Sequence, residues 1–465
     1  MTALPAGLPI RLDDDVRVHA GALAGGWPLR AVRLSDAGRR ALAALEAGAD
    51  APGGVRALGR RLVDGGLAHP RPRPRMAAGV VTVVVPVRDR CADLDRCLGA
   101  LPPRVPAIVV DDGSDDPAAV AEIARAHGAR LIARPRTGGP AAARNDGLAA
   151  VETELVAFLD SDCVPSDGWL DALAGHFADP LVGAAAPRVR PAPVRRPDAV
   201  GRYLAARSPI DMGRREAPVV PGGPVPFVPT AALMVRRAAL RGGAFDAALR
   251  FGEDVDLVWR LLDAGWRVRY DPRVEVRHRE PESVATVLAR RFRYGTSAAA
   301  LASRHPDRLA PAVLQPWPTA IALLALSGRV APAAVLAGQQ RALLARRLER
   351  SGLPGRWATR WMAGGVWHAG LSAGRYAATF ALPVAAAAAT RSRRPAAALA
   401  LLALPALREW RERRPALDPV RFTALALADD AAYGAGVWWS CLRARTARPL
   451  LPRCVSGSSR RARRS

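Results

Sequence analysis

The chain has 465 residues, half of them hydrophobic, enough for a large buried core spread over roughly two to four domains. Its formal charge is +26, from 68 basic and 42 acidic residues, and every basic side chain is arginine. With the abundant Ala, Gly and Pro this marks a biased coding composition, so the charge favours anionic partners in general but names none. Five scattered cysteines (Cys91, Cys97, Cys163, Cys441, Cys454) form no C-x-x-C pair, which excludes a zinc or disulfide scaffold and fits a reducing cytosol.

Taken in chain order, residues 1–69 form a small module. Its N-terminus lacks the basic region and apolar run of a signal peptide. Some strand is expected near its start, then a helix opening at Ser35-Asp36 and running through Leu42 and Leu45. A second helix, Val55 to Leu62, ends near Gly65-Gly66. Residues 70–79 alternate Pro and Arg and read as an extended linker.

Residues 80–282 alternate strands and helices. Val80 to Val85 is a continuous β-branched run, the pattern of a buried parallel strand. A helix over Ala92–Leu101 follows, then a strand at Ala107–Val110 ending on Asp111-Asp112-Gly113-Ser114. Helix Val120–His127, strand Arg130–Ala133, helix Ala141–Ala150 and strand Leu155–Leu159 complete the series. Such βαβ alternation implies a doubly wound α/β sheet, with ligands at the carboxyl ends of the strands, where the Asp clusters fall.

Residues 283–465 are arginine-rich and apolar. A helix over Leu288–Tyr294 leads to apolar segments at Trp317–Gly338, Tyr376–Thr390, Pro395–Leu407 and Phe422–Cys441. Arg329, the Arg391, Arg393, Arg394 group and the Asp429-Asp430 pair interrupt them, so none makes a clean membrane span. Apolar helices flanked by arginine suit a membrane surface or a re-entrant hairpin at an anionic leaflet. An Ala/Leu-rich helical subdomain would have the same composition.

The chemistry-bearing residues sit at the strand ends. Asp160-Ser161-Asp162 places two carboxylates just past a buried strand, as a hard divalent cation (Mn²⁺ or Mg²⁺) on a diphosphate requires. Alone this is a weak signal. Pro86 and Arg88 close the first strand, and Asp111 and Asp112 close the second, where an Asp can hydrogen-bond a base or ribose. Arg144, in the helix opened by Gly138-Gly139-Pro140, can face phosphate or ribose. Downstream, Glu253-Asp254 supplies a carboxylate able to take a proton from an acceptor hydroxyl, expected to be ionised at neutral pH. His278, in a strand-like stretch, is a candidate third metal ligand with Asp160 and Asp162.

In this order, V-V-V-P-V-R, D-D-G-S, G-P-A-A-A-R-N, F-L-D-S-D and G-E-D-V-D-L-x-W-R-L resemble the inverting glycosyltransferase family 2, with its GT-A fold and mixed sheet, over about Val80 to Pro281. The resemblance implies that Asp112 helps bind the base, Asp160 and Ser161 lie at ribose or sugar, Asp162 holds the metal and Asp254 is the base with Glu253 beside it. The Q-x-x-R-W motif of processive members is missing; Ala289 to Gly295 stands in its place, which counts against long-chain synthesis. The wider layout is similar to the glycosyltransferases of mycofactocin systems. That likeness rests on Ala68 to Pro72, Arg214 to Val219, Tyr294 to Ala298, His305 to Asp307 and Asp429 to Gly434. It implies a UDP-sugar donor, UDP-glucose by resemblance, and a β-linked glucose oligomer built on mycofactocin or its precursor. It also implies a peptide-binding N-terminal module. The arginine-flanked apolar helices, by contrast, are what place the chain at the cytoplasmic side of the cell membrane, membrane-associated or integral. Two other readings stand beside it: a membrane-associated glycosyltransferase for lipid or cell-wall polysaccharide, and a sugar-nucleotide-binding protein without catalysis. Asp160, Asp162 and Asp254, all present, argue against the second. The arginines are not interleaved with aromatics, which argues against nucleic acid.

Overall fold

The computed structural model describes residues 2–382 and 395–454. The N-terminal module holds β1 (Ile10–Leu12), β2 (Arg17–His19), β3 (Ala22–Gly25), β4 (Arg30–Arg33), α1 (Asp36–Glu46), α2 (Gly53–Asp64) and β5 (Ala68–Pro70). β2, β3 and β4 form an antiparallel sheet, and β1 pairs with β5, closing the module on itself. The helix start read from Ser35 is real: its hydroxyl accepts from the Gly38 N–H at 3.1 Å.

The Pro/Arg stretch is extended, and it lies on the α/β domain that follows. Arg71 reaches Glu216 at 2.5 Å, and the Arg75 N–H donates to the Asp171 carbonyl at 2.9 Å. Arg60 of α2, fully buried, makes a bidentate pair with Asp179 at 2.7 and 2.8 Å. A buried charge is tolerable only with such pairing.

The α/β domain is built on β6 (Val81–Val87), α3 (Cys91–Gly99), β7 (Ala107–Asp111), α4 (Pro117–Ala126), β8 (Arg130–Ala133), α5 (Pro140–Ala149) and β9 (Leu155–Leu159). There follow β10 (Cys163–Pro165), α6 (Trp169–Gly175), β11 (Val182–Pro191), α7 (Ala199–Arg207), β12 (Ala217–Pro218), β13 (Ala232–Arg236), α8 (Glu253–Asp263) and β14 (Arg267–His278). The sheet order is β10-β14-β11-β13-β9-β6-β7-β8, with β12 added on β14. The half containing β9, β6, β7 and β8 is parallel; β13 enters antiparallel to both β9 and β11. The GT-A-like mixed sheet is thus present. One face packs on Leu94, Trp169 and Leu173; the other on Phe158, Leu257 and Trp259. With apolar cover on both faces, β6 and β9 need the unbroken hydrophobic runs that the sequence displays.

The C-terminal region contributes α9 (Val284–Gly295), α10 (Ala298–Arg304), β15 (Val313–Leu314), α11 (Pro316–Leu326), α12 (Val330–Arg350), α13 (Trp357–Phe380), α14 (Pro395–Arg413), α15 (Pro419–Arg443) and β16 (Arg453–Cys454). The 317–338 segment divides between α11 and α12. The 376–390 segment supplies the end of α13 and then leaves the described residues, as do Arg391, Arg393 and Arg394. Among the described residues no helix is long and apolar enough to cross a membrane.

These helices are packed hard against the α/β domain. A Cβ added at Gly436 would collide with the Phe292 carbonyl oxygen, and one at Gly295 with that of Tyr433. Only glycine lets α9 and α15 approach this closely. Gly436→Ala is therefore expected to push the helices apart and cost about 2 kcal/mol, the usual scale of overpacking. A thermal melt indistinguishable from the parent would refute the close-approach argument.

Candidate active site

A cavity of about 1050 Å³ opens at the carboxyl ends of β6, β7 and β9, and Pro86, Arg88, Asp112, Arg144, Asp160, Ser161, Asp162, Glu253, Asp254 and His278 all line it. Asp111 does not. Its Oδ1 accepts from the Ser114 N–H at 3.0 Å and from the Ser114 hydroxyl at 2.6 Å, so it caps a turn. Asp112 also differs from expectation. Its carboxylate accepts from the Gly138 and Gly139 N–H groups at 2.8 Å each and from the Thr137 hydroxyl at 2.9 Å, with Arg134 Nε 2.9 Å away. Those oxygens hold the loop that opens α5, so Asp112 shapes the pocket by placing backbone. Exposed Arg88 reaches Thr137 Oγ1 at 3.3 Å.

The Asp162 end of the cavity depends on strand pairing. β10 runs antiparallel to β14 with Cys163 opposite His278, which sets Asp162 beside the imidazole. Asp162 Oδ1 lies 3.6 Å from His278 Nε2, and its Oδ2 meets the Arg90 guanidinium. Burial pushes the Asp162 carboxyl up, against the pull of His278. For His278, burial acts to lower its pKa, but the Glu280 and Asp162 carboxylates outweigh it and raise it. Burial likewise works to raise Glu280, yet His278 and Arg290 bring it down to about 2.

Among the described residues no three His, Cys, Asp or Glu side chains form a ready metal cage. Asp162 supplies a hard carboxylate oxygen and His278 a borderline imidazole nitrogen on one wall, with Nε2 turned toward Asp162 and Nδ1 toward Glu280. That set suits Mg²⁺ or Mn²⁺, which take one or two protein ligands and fill the remainder from phosphate and water. Asp160, the third expected ligand, gives Oδ1 to Arg144 at 2.6 Å and keeps its other oxygen for the cavity.

The base end is set by a turn. Gly252, at φ 80°, starts α8 and presents Glu253 and Asp254 to the cavity. Arg144, expected at phosphate or ribose, is instead clamped between carboxylates: Nη1 donates to Glu253 at 3.0 Å and Nη2 to Asp160 at 2.6 Å, with Phe245 5.5 Å beneath the guanidinium. It thereby ties the Asp160 side of the cavity to the Glu253-Asp254 side. Glu253 is occupied by that bond. Asp254 is different: its Oδ1 accepts only the Val255 N–H, at 2.8 Å, among the described residues. Burial, then the charge of Glu253, push its pKa up to about 7. The expectation of a fully ionised Asp254 at neutral pH is corrected accordingly.

The far wall was not read from the sequence. Arg291 and Tyr294 of α9, Ser297, and Tyr433 of α15 all face the cavity. Arg291 lies over the Tyr433 ring at 5.1 Å, and Tyr294 meets Phe251 edge-on at 6.3 Å. Tyr294, Ser297 and Tyr433 lie in the Tyr294 to Ala298 and Asp429 to Gly434 segments that carry the resemblance, but nothing in the sequence placed them at the cavity.

The model of the family described as glycosyl transferase family 2 matches residues 82–242. The chain is 40% identical to the pre-mycofactocin glycosyltransferase of Mycobacterium tuberculosis (strain ATCC 25618 / H37Rv), over 97% of this chain and 98% of that protein. It is 32% identical to an uncharacterized glycosyltransferase of Mycobacterium bovis, over 42% of this chain and 84% of the other. Among solved structures, a mannosyltransferase from Pyrobaculum calidifontis in complex with GDP-Man and Mn²⁺ superposes with a TM-score of 0.42 at 21% identity, over 78% of this chain and 89% of that one. The chain is a glycosyltransferase: it belongs to glycosyltransferase family 2 and is similar over nearly its whole length to the pre-mycofactocin glycosyltransferases.

Proposed function

We propose that this glycosyltransferase moves a hexose, glucose from UDP-glucose, onto the peptide-derived redox cofactor mycofactocin or its precursor, with inversion, and builds a short β-linked oligosaccharide. The observation that carries the transfer chemistry is Asp254: a carboxylate at the cavity wall, free of side-chain partners among the described residues, with its pKa raised to about 7. A base near neutrality accepts the acceptor's proton as the hydroxyl attacks. Glu253 is tied to Arg144 and positions rather than reacts. One free base and a single displacement invert the anomeric centre. When bound, the divalent cation supplies charge neutralisation for the departing diphosphate. Asp162 and His278 would hold it, and Asp160, steadied by Arg144, would orient the donor sugar. The acceptor is proposed from the near-full-length similarity to a protein named for pre-mycofactocin.

The test is to incubate the purified chain with Mn²⁺, the mycofactocin precursor and UDP-glucose, UDP-galactose or GDP-mannose, and read the product by mass spectrometry. Hexose addition from UDP-glucose supports the reading. Cells that keep their cofactor-bound hexose ladder after loss of the gene would reject the acceptor. In calorimetry, Asp162→Asn is expected to abolish Mn²⁺-dependent UDP binding, a larger loss than the roughly 10- to 100-fold that follows removal of a residue which only orients a ligand. Unchanged affinity would remove Asp162 from the metal site.

A further inference from the structure

The charge of the chain is not evenly distributed. Residues 283–465 hold 29 of the 68 basic residues but only 7 of the 42 acidic ones, so +22 of the +26 formal charge lies there. The exposed apolar side chains are concentrated in the same region, and most densely where α15 ends. Trp438 is 45% exposed, Trp439 50%, Leu442 71% and Leu451 59%. Between and beside them stand Arg443, Arg445, Arg448 and Arg453, all exposed. From Trp438 to Cys454 the sequence has four arginines and no acidic residue. β16, at the end of this stretch, pairs with β15, and three residues beyond β15 the first turn of α11 adds exposed Trp317.

We propose that this end of α15, with the segment after it, docks the enzyme on an anionic lipid bilayer. Three features favour a bilayer over another polyanion. First, the apolar residues are large and bare, an arrangement that water penalises and a headgroup boundary does not. Second, tryptophan is a preferred residue at that boundary, since its ring is amphipathic. The Trp438 N–H is satisfied within the protein, donating to the Phe380 carbonyl at 2.9 Å, so its ring can enter an apolar layer without losing that bond. Third, a nucleic-acid platform needs free aromatic faces for stacking. The Trp439 face is taken by Arg443, 5.9 Å from the ring centroid. Leu442 and Leu451 have no part in reading bases. The arginines supply attraction to anionic headgroups and the apolar residues supply insertion, the two signals that stable peripheral binding requires. Docking here sets the cavity close to the bilayer, because Tyr433 lines the cavity on the same helix, less than two turns before Trp439.

The experiment is flotation of the full chain with phosphatidylcholine vesicles, with and without phosphatidylserine, at low and high salt. The parent is expected to float with the serine-containing vesicles and to be released by salt. The Leu442→Glu/Leu451→Glu pair is expected to weaken binding about tenfold or more. The Arg443→Gln/Arg445→Gln/Arg448→Gln triple is expected to weaken it roughly 100-fold, from about fivefold per arginine. All these side chains are exposed, and an unchanged melting temperature verifies each variant's fold. A parent that does not float overturns the proposal without recourse to variants. So does a leucine pair that floats like the parent. If duplex DNA competes the chain off vesicles and the leucine pair binds DNA and vesicles undiminished, the surface is a general polyanion binder and the bilayer proposal fails.

Discussion

Asp254→Asn is expected to lower kcat by about 10²- to 10⁴-fold, the usual range for loss of a general base, while Mn²⁺-dependent UDP affinity stays within twofold or so. Asparagine keeps the shape and can still accept the Val255 N–H, which at present bonds Oδ1 at 2.8 Å. It cannot take the acceptor's proton. The neighbour gives the contrast: Glu253 is already bonded to buried Arg144, so Glu253→Gln weakens an ion pair without removing the base. A kcat for Asp254→Asn close to the parent value would place the base elsewhere.

The pH profile follows with its sign. With the Asp254 pKa pushed to about 7, first by burial and then by Glu253, the protonated, inactive form prevails at lower pH. The acid limb of kcat/KM is expected to rise through about pH 7 and then level. The same shift acts on stability. The native state keeps this proton to higher pH than the unfolded chain, so the cost of ionising Asp254 grows as pH rises from about 4 to 7 and persists above. Asparagine carries no such cost. The variant should melt no lower than the parent at pH 8, and a lower melt would mean that its lost activity reflects lost structure.

The central parallel strands were legible because burial on both faces writes itself as an unbroken apolar run, and β9 falls at the predicted residues; β8, an edge strand with Arg130 and Ala133 exposed, also falls where predicted but as a short link in the strand–helix alternation. The antiparallel strand β13 and the long β14 were harder, since their pairing is decided by contacts distant in sequence. At the site, motif order located the right strand ends. It did not say what each carboxylate does. Asp111 and Asp112 are adjacent and alike in sequence, yet one caps Ser114 and the other holds Gly138 and Gly139. Arg144 was found, but its clamp joins Asp160, 16 positions on, to Glu253, 109 positions away, which no local pattern encodes. Asp429 and Asp430 show the same limit. In sequence they interrupt an apolar segment; in the fold they are partners of Arg207.

Arg207→Met is expected to cost about 3–5 kcal/mol, the scale seen when one side of a buried ion network is removed. At the end of α7, Arg207 is, among the described residues, the one charged member of this network on residues 80–282, beside the Tyr203 hydroxyl of the same helix. It donates to Glu409 of α14 at 2.9 Å, and to Asp429 and Asp430 of α15 at 2.6 and 2.7 Å. The Tyr203 hydroxyl accepts from it at 2.8 Å and itself donates to Asp429 at 3.0 Å. The remaining arginines cannot replace it. Arg291 stands 2.7 Å from Asp429, and Arg375 and Arg413 lie 3.1 and 2.9 Å from Glu409, but among the described residues Asp430 has no other basic partner. Methionine fills much of the volume and leaves that carboxylate uncompensated, 14% exposed in side chain. The melting temperature should fall by roughly 5–10 °C. Arg207→Lys keeps the charge but loses the planar fork that serves three carboxylates at once, so it should rescue only part of the loss. Because α15 carries Tyr433 to the cavity wall, the Arg207→Met variant should also show a higher acceptor KM, with UDP binding nearly unchanged at the opposite end. Equal melting of parent and variant would show that the catalytic domain and the C-terminal helices are held together without this clamp.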